Sequence, residues 1–197
     1  MGLSLRQKVL KLVYPLLIWG RKKSTHQKRV YNKRMTPPPV SFYALSAMLN
    51  DGKQLPFEKL KGKKILLVNT ASNCGYTPQY AELQKLYQHS KDHLEIIAFP
   101  ANDFKEQEKG SDEDIASFCS KNYGVSFPVA KKIVTVKNEK QHPVFQWLSD
   151  KEKNGWNDKV PEWNFSKYLL NEKGMLTHYF SPQVSPLSEE VLASINQ

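Results

Sequence analysis

The chain has two cysteines, Cys74 and Cys119, and the surroundings of Cys74 are those of a reactive thiol. Cys74 lies in NTASNCGYTPQ (69–79), after an apolar run of strand length and before a predicted helix that begins near Pro78. Free N–H groups and the positive dipole end at a helix start favour an anion, so we expect a lowered thiol pKa. Thr77 stands where a C-x-x-C pair would have its second cysteine. A buried structural cysteine is the alternative.

Two other polar stretches carry side chains that suit the same chemistry. FPANDFKEQEKGSDE (99–113) contains the amide of Gln107, and PEWNFSKYLL (161–170) contains Trp163 and Asn164. Indole and amide groups are uncharged N–H donors, which can stabilise a thiolate or a departing oxygen. A tryptophan before a strand is more often part of a core, so neither stretch identifies the chemistry alone.

The elements that must position these residues follow from apolar patterning. ILLVNTAS (65–72) and LEIIAFP (94–100) are continuous apolar runs, typical of strands buried on both faces. The pattern also predicts a helix over 78–90, a helix over about 111–122 that ends at Gly124, a strand pair within 167–180, a C-terminal helix from Ser188 and an N-terminal hairpin turning at Asn50-Asp51-Gly52. This order predicts an α/β fold with a central sheet covered by helices, and it places Cys74 at the carboxyl end of a strand.

The net charge of +10 is unevenly distributed along the 197 residues. Residues 1–50 contain ten basic and no acidic residues, which leaves 19 basic and 19 acidic residues in 51–197. A nucleic-acid-binding domain should itself be basic, so we expect no nucleic-acid partner.

The N-terminal residues are predicted to form a separate arm. We divide the chain into a basic and apolar arm (1–36) and a domain (37–197), with a stiff boundary at Pro37-Pro38-Pro39. The apolar run VLKLVYPLLIWG contains a lysine and a proline and is shorter than the ~20 residues that span a bilayer. Its basic flanks favour a membrane-surface anchor over residues 1–35, with a cleaved targeting segment or a disordered arm as alternatives. We expect a cytoplasmic protein that associates with membranes through this arm.

Three stretches together resemble the signatures of the glutathione peroxidase family. They are VNTASNCGYTPQYAEL, FPANDFKEQEKGSDEDI and WNFSKYLL, and their order and spacing agree over about residues 40–196. The resemblance implies a thioredoxin-like fold, with a central mixed β-sheet flanked by helices and an N-terminal β-hairpin, and the reduction of hydroperoxides without a metal or bound cofactor. It also implies a catalytic tetrad, which maps onto Cys74, Gln107, Trp163 and Asn164.

The second cysteine falls at another position of this family. Cys119, in FCSKNYGVSFP, matches the resolving cysteine of the thioredoxin-dependent branch, which implies thioredoxin as the reductant, with glutathione as the alternative. Ala101 stands where many cysteine members have a cysteine, and Asp103 replaces a usual glutamine. The extra loop of tetrameric members is lacking, which implies a monomer.

The resemblance leaves alternatives open for Cys74 and Cys119. A peroxide sensor or redox relay would use the same chemistry to oxidise a partner protein, and a thioredoxin-fold binding module would keep Cys74 as a buried residue. If both thiols act in one cycle, we expect their Cα atoms to lie beyond the ~7 Å that a disulfide can bridge without movement. The helix that carries Cys119 must then partly unwind.

Overall fold

A five-stranded mixed sheet forms the centre of this computed structural model, which describes residues 3–20 and 29–197. The strands are β1 (Arg29–Tyr31), β2 (Ser46–Met48), β3 (Gln54–Pro56), β4 (Lys64–Thr70), β5 (Leu94–Pro100), β6 (Lys167–Leu170) and β7 (Leu176–Phe180). The α-helices are α1 (Leu5–Gly20), α2 (Gln79–Ser90), α3 (Asp112–Tyr123), α4 (Pro143–Leu148), α5 (Lys151–Asn154) and α6 (Glu189–Asn196). Two 3₁₀ turns cover Phe42–Ala44 and Phe57–Leu60.

The sheet order is β1-β7-β6-β4-β5. Strand β4 runs parallel to β5 and antiparallel to β6, and β7 is antiparallel to both of its neighbours. Strands β2 and β3 form the expected hairpin outside this sheet. The predicted mixed sheet and N-terminal hairpin of a thioredoxin-like fold are therefore confirmed.

Strands β4 and β5 are buried on both faces, as their continuous apolar sequences predict. Leu66 and Val68 point to a core shared with α2, α3 and α6. Ile65 and Leu67 point the other way, to a core shared with α4 and the 3₁₀ turns. Alternate side chains of one strand thus attach helices to both faces of the sheet.

Helix α3 has well-defined ends. The Ser111 hydroxyl accepts a hydrogen bond from the Asp114 N–H, and the Asp114 carboxylate accepts one from the Ser111 N–H, which completes a capping box. At the other end Gly124 adopts a φ of 60°, a left-handed conformation that glycine adopts without strain. Both ends agree with the sequence-based prediction.

The N-terminal arm differs from the expected division of the chain. Residues 29–31 form the edge strand β1, which pairs with His178–Phe180 of β7, so the sheet includes residues from before position 37. Residues 5–20 form helix α1 despite the internal Pro15. The basic stretch 21–28 lies outside the described residues. Within 3–20 and 29–197, no helix has the length and apolarity needed to cross a bilayer.

Candidate active site

The loop that carries Cys74 connects the carboxyl end of β4 to α2. The Thr77 hydroxyl accepts a hydrogen bond from the Cys74 N–H at 3.0 Å and donates one to the Ala71 carbonyl at 2.8 Å. The Thr77 N–H donates to the Cys74 carbonyl at 3.1 Å. Thr77, at the position of the missing second cysteine, therefore holds the turn that presents Cys74.

All four residues of the expected tetrad lie in one cluster. The side chains of Trp163 and Asn164 lie beside the Cys74 sulfur, and the Tyr76 N–H donates a hydrogen bond to it at 3.4 Å. Asn164 Nδ2 also donates to Gln107 Oε1 at 3.0 Å. Gln107 thus joins the cluster through Asn164, and several N–H donors are available to a negative charge on the sulfur.

Buried Asn69, at the end of β4, fixes the position of the Trp163–Asn164 pair. Its Nδ2 donates to the Trp163 carbonyl at 3.1 Å, and its Oδ1 accepts from the Ser166 N–H at 3.0 Å. The Phe165 N–H donates to the Asn69 carbonyl, and Phe165 adopts a φ of 70°. Because these bonds link the two segments rigidly, Asn69 aligns the indole and amide with the thiol. No local sequence signal marks this residue.

The expectation of a lowered Cys74 pKa is wrong for this structure. Cys74 is 1 % exposed, and burial raises the pKa of its thiol to about 11. Hydrogen bonds from Trp163, Asn164 and the Gly75 N–H, together with the charge of Arg6, lower the pKa by less than burial raises it. Burial disfavours the charged form, so Cys74 is a thiol at neutral pH, and its donors act on the charge that develops during reaction.

Glu108 is a buried carboxyl that the sequence analysis missed. It is 1 % exposed, and its Oε2 accepts hydrogen bonds from the Ser72 N–H at 2.8 Å and the Ser72 hydroxyl at 2.9 Å. Burial raises its pKa to about 7, which the Ser72 hydrogen bonds and the charge of Lys132 oppose. The only sequence signal was its place next to Gln107. Glu108 anchors the Cys74 loop two residues before the thiol.

We expect Glu108→Ala to slow peroxide reduction by about 10- to 100-fold, because the Ser72 donors lose their acceptor and the loop can move. Glu108→Gln keeps an acceptor oxygen of the same shape, so its rate should stay within about threefold of the parent. The measurement is the initial rate of hydrogen peroxide consumption, with circular dichroism to verify folding. Equal rates for Glu108→Ala and the parent would show that the loop does not need this anchor.

Cys119 lies on α3, and both cysteines are free thiols. Its sulfur lies against the Tyr80 hydroxyl, and burial raises the pKa of its thiol to about 12. Cys119 lines a cleft of about 410 Å³ that includes Tyr87. The preceding residue, Phe118, lines a different cleft of about 360 Å³ that includes Asn73. Consecutive residues of α3 therefore border separate clefts, while Cys119 and Cys74 belong to the same buried core.

The two departures from the family pattern lie outside the Cys74 cluster. Ala101 is fully buried and pairs with Ile133. Asp103 Oδ2 accepts hydrogen bonds from the Thr135 N–H at 2.6 Å and the Thr135 hydroxyl at 2.7 Å. The Asp103 carboxylate therefore fixes the loop that contains Thr135, which is a structural role.

Comparison with known proteins identifies the family. The family model described as Glutathione peroxidase matches residues 42–149. The chain is 47% identical over 146 residues to the glutathione peroxidase-like peroxiredoxin gpx1 of Schizosaccharomyces pombe, in a match that covers 74% of this chain and 91% of that relative. The chain belongs to the glutathione peroxidase family.

Further similarities within the glutathione peroxidase family agree with this assignment. The glutathione peroxidase-like peroxiredoxin HYR1 of Saccharomyces cerevisiae is 43% identical over 160 residues, which is 78% of this chain and 98% of that relative. The crystal structure of Trgpx in apo form superposes with a TM-score of 0.61 at 30% identity, covering 81% of this chain and 97% of that chain. The chain is therefore a thiol-dependent peroxidase. Helix α1 lies before the segment that the family model matches.

Proposed function

We propose that this glutathione peroxidase family member reduces hydroperoxides through a two-cysteine cycle in which Cys74 attacks and Cys119 resolves. The observation that supports it most strongly is the set of donors at the Cys74 sulfur, from Trp163, Asn164 and the Tyr76 N–H. A structural cysteine needs no such set, because a neutral buried thiol is stable without strong donors. The substrates are hydrogen peroxide and organic hydroperoxides, including lipid hydroperoxides.

In the first step the Cys74 sulfur attacks the distal peroxide oxygen, and the O–O bond breaks. The sulfur becomes a sulfenic acid, and the thiol proton leaves with the other oxygen as water or an alcohol. Trp163, Asn164 and Gln107 stabilise the negative charge on the sulfur and on the departing oxygen. Because burial disfavours the thiolate at rest, the contribution of these donors is greatest in the transition state.

In the second step the Cys119 sulfur attacks the sulfenic sulfur, forms the disulfide and expels the hydroxyl group as water. Cys119 borders a cleft whose lining, among the described residues, does not include Cys74. We expect the two Cα atoms to start beyond ~7 Å, so that α3 must partly unwind before the disulfide forms. A thioredoxin-like protein then reduces the disulfide by thiol exchange. The cycle uses no metal or bound cofactor.

The working form that we propose is a cytoplasmic monomer that contacts membranes through residues 1–35. Outward-facing Leu5 and Leu12 are each 80% exposed, and no acidic residue occurs in the first 50 residues. Exposed apolar groups on a basic helix favour an anionic lipid surface. Such contact would bring the peroxidase close to lipid hydroperoxides.

Steady-state consumption of hydrogen peroxide with either thioredoxin or glutathione tests the reductant. We expect thioredoxin to support turnover at least about tenfold better than glutathione, because a disulfide is the natural target of a dithiol. Equal or better turnover with glutathione would contradict the two-cysteine cycle. One fast oxidation followed by poor recycling with thioredoxin would instead favour the alternative, a peroxide sensor that oxidises a partner protein.

A further inference from the structure

Helix α1 packs across the side of the domain where Cys74 lies. One face of the helix turns inward, with Leu3, just before it, packed on the core of α2, α3 and α6, and Tyr14 only 7% exposed in the same core. The Tyr14 hydroxyl lies beside Glu82 and Gln79 of α2. The arm is therefore docked on the peroxidase domain, although its sequence gave no sign of an inward face.

The start of α1 is bonded directly to the Cys74 loop. Ser4 and Gln7 form a capping box, in which Gln7 Oε1 accepts from the Ser4 N–H at 2.8 Å and the Ser4 hydroxyl accepts from the Gln7 N–H at 3.3 Å. The same Gln7 side chain donates through Nε2 to the Ser72 carbonyl at 2.8 Å. One residue thus begins the helix and ties it to the loop two residues before the thiol.

Helix α1 also closes one side of the cleft beside this loop. Ser4 and Gln7 line the cleft together with Asn73, Gln107 and Phe118. Phe118 precedes Cys119 on α3, so the start of α1 covers the cleft that borders this part of α3.

A second contact ties α1 to the carboxyl end of α3. The Lys11 ammonium lies 5.3 Å from the centre of the Tyr123 ring, within the range of a cation–π interaction. Tyr123 is the last residue of α3, four positions after Cys119. The segment that must unwind for disulfide formation is therefore held by the same helix that holds the Cys74 loop.

The opposite face of α1 presents an apolar stripe to solvent. Leu5, Val9 and Leu12 are 80%, 51% and 80% exposed and fall at i, i+4 and i+7, which places them on one side of the helix. The basic residues Arg6 and Lys8 flank this stripe and are exposed. An apolar stripe between cations has the chemistry that binds a bilayer with anionic headgroups.

We propose that α1 is a removable cover over the Cys74–Cys119 site and that an anionic lipid surface removes it by binding the Leu5–Val9–Leu12 stripe. The inference rests on the proposed two-cysteine function. A lipid surface can lift the helix only if it binds the lifted state more tightly than the docked one.

Two features supply that difference between the docked and lifted states. Lys11 is exposed in the docked state and contacts the Tyr123 ring through its ammonium, and lifting releases this ammonium to bind a lipid phosphate. Glu106 and Asp114 are exposed and line the same cleft as the start of α1, where Glu106 is paired with Lys109 at 2.7 Å. A bilayer on the docked helix would bring the Asp114 carboxylate, which has no ion-pair partner among the described residues, towards anionic headgroups, and the repulsion decreases when the helix moves away.

The test measures the rate of disulfide formation after one equivalent of hydrogen peroxide, by acid quenching and thiol alkylation. Hydrogen peroxide is chosen because it dissolves in water and does not concentrate in vesicles. For the parent we expect phosphatidylcholine vesicles with one-third phosphatidylserine to accelerate the step about fivefold to tenfold, the effect of losing the Gln7 and Lys11 contacts. Pure phosphatidylcholine vesicles should leave the rate unchanged.

Variants on the two faces of α1 should behave in opposite ways. Gln7→Glu keeps the capping box but removes the donor to the Ser72 carbonyl, so it should be fast without vesicles. Lys59→Gln changes the net charge by the same amount at an exposed residue outside α1 and should stay slow without vesicles. The double variant Leu5→Gln and Leu12→Gln should neither sediment with anionic vesicles nor be accelerated by them.

Two results would overturn the proposal. In one, the parent sediments with anionic vesicles while its disulfide forms at an unchanged rate; in the other, the parent does not bind them. A failure of the two-cysteine function is distinguishable from both, because no sample would then form the Cys74–Cys119 disulfide.

Discussion

Replacement of Cys74 by serine is expected to abolish peroxide reduction, lowering the initial rate by at least ~1,000-fold. The serine hydroxyl is nearly isosteric, so the Thr77 hydrogen bonds to the loop backbone should persist. A hydroxyl is a far weaker nucleophile than a thiol towards a peroxide oxygen. Because Trp163 and Asn164 remain in place, the loss of rate measures the contribution of the sulfur itself and not that of its neighbours.

The measurement for Cys74→Ser is a stopped-flow rate of hydrogen peroxide consumption under excess protein. Trp163 contacts the Cys74 sulfur, so its fluorescence reports the first step in the parent and should stay constant in the variant. Cys119→Ser serves as the matched control, since it replaces the other buried thiol in the same way. Residual peroxide reduction at more than a hundredth of the parent rate would mean that Cys74 is not the attacking group.

Replacement of Cys119 by serine is expected to separate the two steps of the cycle. The fast fluorescence change at Cys74 should remain within about twofold of the parent, because Cys119 contacts Tyr80 and lies outside the Cys74 cluster. Steady-state turnover with thioredoxin should fall by at least about 100-fold, since the sulfenic acid has no resolving thiol within the chain.

Turnover of Cys119→Ser is measured by coupling thioredoxin oxidation to thioredoxin reductase. Ser120→Ala is the matched control on the next position of α3, where the side chain is exposed, and it should keep the parent rate. Thioredoxin turnover of Cys119→Ser at the parent rate would mean that thioredoxin reduces the Cys74 sulfenic acid directly. The unwinding of α3 would then be unnecessary.

Periodicity and local signals in the sequence predicted most of the domain. Strand β5 was predicted at its observed bounds, because LEIIAFP (94–100) is a mostly apolar run of strand length. All seven of its residues are buried in the structure. The ends of α3 were predicted because Ser111 and Gly124 determine the local backbone. The short edge strand β1 was missed, since three residues form it and only their pairing with β7 defines it. Helices α4 and α5 were also not predicted.

The residue types of the candidate site could be predicted from the sequence. The burial and hydrogen bonding around these residues could be predicted only in part. The four residues of the proposed tetrad lie together and their catalytic roles stay a prediction, whereas the expected direction of the Cys74 pKa shift was wrong. A helix start is visible in sequence, but the degree of burial that outweighs it depends on distant segments. Glu108 and Asn69 were missed for the same reason, because their hydrogen bonds join residues 36 and 97 positions apart. The inward face of α1 likewise exists only through its contact with the domain.

The most direct test of the account is peptide mapping of the parent after one equivalent of hydrogen peroxide, under non-reducing conditions and without added reductant. The account predicts one pair of peptides joined by a Cys74–Cys119 disulfide, in a monomer lighter by two hydrogens than the reduced chain. Recovery of Cys119 as a free thiol, with Cys74 as a sulfinic acid or bonded to a second chain, would contradict it.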